Sequence, residues 1–272
     1  MFKLRTKGDR ELMLRAYIDT FKKYRHLLVA LVERDYKVKY RRSVLGILWS
    51  MLNPIMMMLI LNAVFSHVFR FDIENFPLYL ITGQLVYSFF SEASSSAIFS
   101  IVEASSLIKK VYVPKYMFPL ERVLFGFINL LFSLVAVLLM ILLFRLPFTP
   151  SMLLFPVPLA ALLMFTVGWS LLISALCVYF RDLKHLYSVL LTAWMYLTPI
   201  MYPLDALKGS WIYYLVQLNP LTCYATYFRA VVIYGQLPTA AMNLMCFGWG
   251  GGMLLFGLWA FYKLQDRFIL YI

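Results

Sequence analysis

The chain reads as an all-α integral membrane protein with six transmembrane helices. An N-terminal amphipathic helix lies at the membrane interface, and an outer re-entrant helical hairpin sits between helices 5 and 6. Three observations predict this. Of 272 residues, 62% are hydrophobic and only 14% charged, against about 25% charged in soluble domains, so the chain could not cover a water-facing surface. The apolar residues gather into runs that approach or exceed the roughly 20 helical residues a bilayer core requires. The 25 basic residues outnumber 13 acidic ones, yet 13 of the 25 lie in residues 1–42 and most others flank apolar runs. That distribution marks membrane topology and contact with anionic lipid, and it excludes a phosphate-tracking groove for nucleic acid.

Residues 1–43 form a cytoplasmic amphipathic segment. Leu14, Tyr17, Ile18 and Phe21 recur at helical spacing within residues 9–33, and the accompanying Lys22, Lys23 and Arg25 favour a helix in the headgroup plane. The cationic run ends at Arg42, and no formal charge follows until Arg70. A border this sharp is what lipid imposes, because a charge at the hydrocarbon centre costs about 2.5–3.5 kcal/mol on insertion scales. The first 26 residues hold no apolar signal core, so the first span is expected to serve as its own insertion signal.

Residues 44–272 form the membrane domain. Its first span, about 44–68, contains Asn53-Pro54, and the proline is expected to kink the helix and free a carbonyl for another partner. Arg70, Asp72 and Glu74 make a polar turn. The second span, about 77–101, carries Ser88, Ser91, Ser94, Ser95, Ser96 and Ser100 besides Glu92. Small hydroxyl residues suit close helix packing, whereas an ionisable residue within a span faces protein or water. A short helix is expected over Ala104 to Val111, ending before Pro114. Further spans follow at about 118–144, 152–179, 186–204 and 242–262.

The connection at 205–241 is too apolar for an exposed loop of its length. Its halves on either side of Asn219-Pro220 are too short to span, so it is either a re-entrant hairpin at about 208–236 or one broken span. Charge decides between them. With six spans and both termini inside, the inner segments collect the 13 N-terminal cations, Lys109, Lys110, Lys115, Arg181, Lys184, Lys263 and Arg267. The outer segments hold only Arg70, Arg145, Lys208 and Arg229, giving 20 against 4 with Arg122 at a helix end. A seventh span would put the basic end outside, so the hairpin is expected.

No GxxxxGK[ST], HExxH or GxSxG motif occurs, so no catalytic residue, bound cofactor or metal site is expected in this chain. Cys177, Cys223 and Cys246 lack CxxC spacing and read as small apolar helix residues. His26, His67 and His185 are too scattered for a metal site. Transport remains, and its energy must come from an ion gradient or from a partner. A gradient-driven carrier calls for midplane ionisable groups and broken helices in each of two repeats; here Glu92 is the one clear intramembrane acid and no repeat is evident.

The cationic run followed by LGILWSMLNP at 45–54, the polar loop at 102–117, RDLKHLY at 181–187 and LNPLT at 218–222 resemble ABC-2-type permeases, in particular the exporters of O-antigen, capsule, rhamnose polymers and wall teichoic acid. The resemblance runs from about residue 27 to the end. It implies a homodimer of six-span subunits in the cytoplasmic membrane of a bacterium or archaeon, bound to two copies of a separate ABC ATPase that holds ATP and Mg. The substrate it implies is a polysaccharide on a polyprenyl pyrophosphate carrier; a wall teichoic acid exporter, a drug or small-lipid exporter and, more distantly, an intramembrane glycosyl- or phosphotransferase are the competing readings. By resemblance, Ser105, Ser106, Leu107, Ile108, Lys109, Lys110 and Tyr112 form the coupling helix for the ATPase. Arg34, Lys37, Lys39, Arg41 and Arg42 are candidates for the carrier pyrophosphate, or else hold anionic lipid and fix topology. Tyr87, Phe90, Glu92, Trp194, Tyr196 and Tyr202 are candidates for a sugar-lined channel, with interface anchoring and packing as the alternative for the aromatics. Tyr213, Tyr214, Asn219, Pro220, Tyr224 and Tyr227 are candidates for an outer gate, since non-spanning helices at membrane depth need protein or a water-filled cavity around them.

Overall fold

The computed structural model describes the backbone of residues 7–41, 43–68, 73 and 75–271, and the side chains of 23–41, 43–64, 73 and 75–271. Arg42 and the charged residues of the expected 70–74 turn lie outside the described residues. Among those described there is helix and no strand. The chain divides into two compact units, residues 1–42 and 43–272.

The first unit is one helix, α1 (Lys7–Tyr40), of 34 residues. It is longer than the sequence predicts, because the cationic segment continues it. Leu28, Leu31 and Val32 are buried on one side, while Arg34, Lys37, Lys39 and Arg41 are exposed. Lys37 and Lys39 fall in its last turn, where cations oppose the partial negative charge of the helix end.

In the second unit, α2 (Leu48–Val68) holds Pro54 inside the helix. Proline has no N–H for the carbonyl four residues earlier, that of Ser50. That carbonyl instead accepts the Ser133 hydroxyl at 2.7 Å, which ties α2 to α6 (Met117–Leu143). Between them, α3 (Phe76–Ala97) is the central helix and touches α2, α6, α7, α8 and α10. Its hydroxyls turn back on their own helix: Thr82 donates to the Leu78 carbonyl, Ser94 to Phe90, and Ser96 to Ala93. Hydroxyls satisfied this way leave small, quiet surfaces for packing. The short helices α4 (Ser100–Glu103) and α5 (Ser105–Ile108) follow. The helix expected over 104–111 therefore stops at Ile108, and residues 112–114 lie outside any helix.

Helix α7 (Pro156–Tyr179) pairs with α11 (Ala240–Leu264) more extensively than any other two helices. The backbones touch: a Cβ on Gly257 would run into the Gly168 carbonyl, and one on Gly168 into Met253. Such close approach replaces the hydrophobic drive that helices lack in lipid. Helix α8 (Leu183–Tyr196) has 14 residues, about 21 Å, and ends eight residues short of the expected boundary at 204. Pro199 lacks the donor for the next turn and disfavours helical backbone at Thr198. Beyond it lie a 3₁₀ turn at Leu204–Leu207, α9 (Trp211–Leu218) and α10 (Pro220–Val232). After α11, a 3₁₀ turn (Gln265–Arg267) leads into α12 (Phe268–Tyr271). Among the described residues, four helical stretches are long and apolar enough to cross a membrane: Phe76–Glu103, Met117–Leu143, Pro150–Tyr179 and Ala240–Tyr271.

Candidate functional site

Three side-chain constellations stand out in the second unit. The first joins α9 and α10 to α8. Pro220 opens α10 at a position where a missing N–H costs nothing, and the residue before it is held extended. Asn219 is that residue, at φ −67 and ψ 122. Its side-chain oxygen accepts the Leu221 N–H at 3.0 Å and the Trp194 indole N–H at 2.8 Å. Its amide donates to the Leu197 carbonyl and the Thr198 hydroxyl, both at 3.0 Å. One asparagine thus fixes the helix break and ties it to the end of α8.

Trp194 also belongs to an aromatic cluster. Its ring meets Phe90 at 4.9 Å and Trp169 at 5.0 Å, both edge to face. Trp169 donates to the Tyr187 hydroxyl at 2.9 Å, which donates to Ser94 at 2.6 Å. Two clefts open beside the cluster, of about 460 and 270 Å³, and share Trp194 and Pro220. Both indole donors are used within the protein, so the rings turn only apolar faces to these clefts. Tyr87 and Phe90 are buried, and the Tyr87 hydroxyl donates to the Leu191 carbonyl at 2.6 Å. In a single copy these two residues are packing that holds α8 against α3, and they present no open channel face. Glu92 and Tyr196 are exposed, and Tyr202 is half-buried.

The gate candidates divide similarly. Tyr213 and Tyr214 pack edge to face at 5.7 Å, with Tyr214 exposed. Tyr224 and Tyr227 are fully buried and donate to the Cys246 carbonyl at 3.2 Å and to Asn243 at 2.6 Å. They fasten α10 to α11. The free thiols of Cys223 and Cys246 meet across the same boundary at 2.8 Å.

The second constellation centres on Arg229, which the sequence places in an outer connection as one of four outer cations. It is buried, at 3% exposure. Its guanidinium donates to the carbonyls of Pro199 at 2.8 Å and Tyr79 at 3.0 Å, and its carbon lies 3.4 Å from the centre of the Tyr79 ring. A Cβ on Gly83 would collide with the guanidinium, so that glycine makes the room. Nothing in spacing or composition announces this arrangement.

The third constellation lies at the 102–117 loop. Ser106, Leu107, Lys109, Lys110 and Tyr112 of the coupling stretch are exposed, and Ser105 and Ile108 are half-buried. Ile108 packs on a small core of Ile101, Leu171, Ala175, Val178, Phe261 and Phe268. Lys115 donates to the Gln265 carbonyl at 2.6 Å and sits 5.4 Å above the Phe268 ring. Burial pushes the Lys115 ammonium below the ordinary lysine value, with nearby Asp266 opposing. No group of three or more metal-ligating side chains occurs among the described residues.

In the first unit, Arg34 pairs with Asp35 at 2.8 Å. Burial, with Tyr40 beside it, pushes the Tyr36 phenol up to about 12.

Residues 26–233 match the family described as ABC-2 type transporter. The chain belongs to this family. The ABC-2 match runs from within α1 to the end of α10 and takes in all three motif stretches. These fall at helix beginnings: 45–54 leads into α2, 181–187 into α8, and 218–222 into α10. The ABC-2 chain is 35% identical to the O-antigen export system permease protein RfbA of Myxococcus xanthus, over 80% of its own length and 84% of the relative's. It is 32% and 31% identical to two proteins of the same name from Klebsiella pneumoniae, over 89% of its length and 93% of theirs.

Proposed function

We propose that this chain is the permease of an ATP-driven exporter for an O-antigen-type polysaccharide carried on a polyprenyl pyrophosphate. The observation that carries the reading is the similarity, over 80–89% of the chain, to permeases named for O-antigen export. The chain has no phosphate-binding loop of its own, so a separate ATPase holds ATP and Mg and supplies the energy. Two permease copies and two ATPase copies make the working unit, since a polymer needs a wider path than one small helical bundle provides.

In this reading α2, α3, α6, α7, α8 and α11 span the membrane. The 20-against-4 charge asymmetry supports cytoplasmic placement of residues 1–43, 102–117 and 263–271. Helices α9 and α10, at 8 and 13 residues, form the outer hairpin that gates the exit, while α8, at 14 residues, crosses only together with the chain that follows it to 204. Exposed Ser106, Leu107, Lys109, Lys110 and Tyr112 meet the ATPase. The exposed cations Arg34, Lys37, Lys39 and Arg41 receive the carrier pyrophosphate, since paired charge on phosphate gives strong hydrogen bonds. Glu92 and Tyr196 are the channel candidates with surface to offer a sugar.

The test is export. Cells lacking the gene should accumulate the lipid-linked polymer inside and lose it from the surface, and the wild-type chain should restore it. Restoration of a polyol-phosphate polymer instead would assign the chain to teichoic acid. Unchanged surface polymer in the deletion strain would overturn the reading.

A further inference from the structure

We infer that Lys115 and Phe268 are positioning residues through which the segment 264–271 holds the loop at 105–116 in register with α7 and α11. The inference rests on the reading above, in which 105–112 meets the ATPase.

A loop that holds one four-residue helix, α5, has little rigidity of its own. Here it is held from both ends of its span in the fold. Glu103 pairs with Arg122 at the start of α6 at 3.4 Å. On the other side, Ile108 and Tyr116 pack on the core formed by Ile101, Phe261 and Phe268 with the last turns of α7. Phe268 is wholly buried there, edge-on to Phe261 at 5.6 Å and to Tyr179 at 5.9 Å. The segment carrying Phe268 is itself pinned: Lys115 donates to the Gln265 carbonyl, Tyr179 to the Leu264 carbonyl at 2.6 Å, and Arg181 to the Tyr271 carbonyl at 3.2 Å.

Two separate stretches of chain, at 115 and at 179–181, therefore donate to carbonyls of one short segment, and its central aromatic ring fills the space beneath the coupling stretch. This small core is distinct from the main core, which is built around α3, α7 and α10. A push on the exposed face of 105–112 is delivered through Ile108 to Phe268, and from there to the ends of α7 and α11. These two helices pair extensively, with their backbones in close approach at Gly168 and Gly257, so they move together. The segment at 264–271 acts as the wedge that converts movement of a small loop into movement of a helix pair.

The experiment uses the whole complex of permease and ATPase, comparing wild type with Phe268→Ala, Phe268→Leu, Lys115→Met and Lys115→Arg. ATP hydrolysis and polymer export are read on the same preparation, with hydrogen exchange of residues 105–116. Phe268→Ala and Lys115→Met should lower export about fivefold or more at near-normal hydrolysis, and should speed exchange at 105–116 without speeding it in α3. Phe268→Leu and Lys115→Arg should restore export to near wild type. Lys115→Met removes the tie without opening a cavity, so it tests the link even if Phe268→Ala folds poorly. Export and hydrolysis falling in proportion, or export unchanged with normal exchange, would overturn the inference while leaving the export function standing. A wild-type complex without ATP-driven export would overturn the functional reading, and this inference with it.

Discussion

Arg229 shows what a single residue can do when the fold surrounds it. A buried guanidinium with no carboxylate partner among the described residues is costly, and three backbone carbonyls together with the Tyr79 ring offset that cost. Replacing it with alanine leaves those carbonyls short of a donor and opens a cavity. Arg229→Ala is expected to destabilise the protein by about 3 kcal/mol, measured by unfolding of the purified protein in detergent. Gly83→Ala should cost about 1–3 kcal/mol, because the added methyl meets the guanidinium. The two changes share one space, so the double variant should lose less than the sum of the singles; strict additivity would show that the contact carries no coupling. Neither residue was legible beforehand, since a lone arginine in an apolar stretch reads the same whether it faces water or three carbonyls. Asn219-Pro220 was legible, because proline chemistry is local and acts on its own neighbours.

Individual helices divide between those whose bounds follow from local rules and those set by a partner. The freed Ser50 carbonyl beneath Pro54 could be foreseen in α2; its partner Ser133, 83 residues away, could not. Ser133→Ala is expected to cost about 1 kcal/mol in the parent chain. It should cost less in a Pro54→Ala background, where the restored N–H can take the same carbonyl. Equal losses in both backgrounds would sink the explanation. The α7–α11 pair is a second case. Gly257→Leu must force the backbones apart at Gly168, and is expected to reduce the yield of folded protein sharply and lower the unfolding temperature by several degrees. Helix α8 was expected to run to 204 and stops at Tyr196. Thr198 and Pro199 end it there, and hydrophobicity alone does not show where an apolar run leaves the helix.

At the scale of the whole molecule, the proposed topology has its own test. A cysteine at Lys208 should react with a membrane-impermeant thiol reagent in intact cells, whereas one at Lys110 should react only after the membrane is opened. The reverse pattern would overturn the six-span arrangement. The family was legible in the order of short motifs, and the match over 26–233 agrees with it. What the sequence determined by itself was the kind of solvent and the elements it demands: helices, a charge boundary at Arg42, and a break at Asn219-Pro220. These follow from costs paid within a few residues of chain, namely charge in hydrocarbon and proline in a helix. What the tertiary structure alone decided was partnership: Phe90 and Tyr87 turned inward to hold α8, Arg229 buried against three carbonyls, and Phe268 wedged beneath the 105–112 stretch. Those outcomes depend on which distant surfaces meet, and a pattern read along one chain carries no record of that.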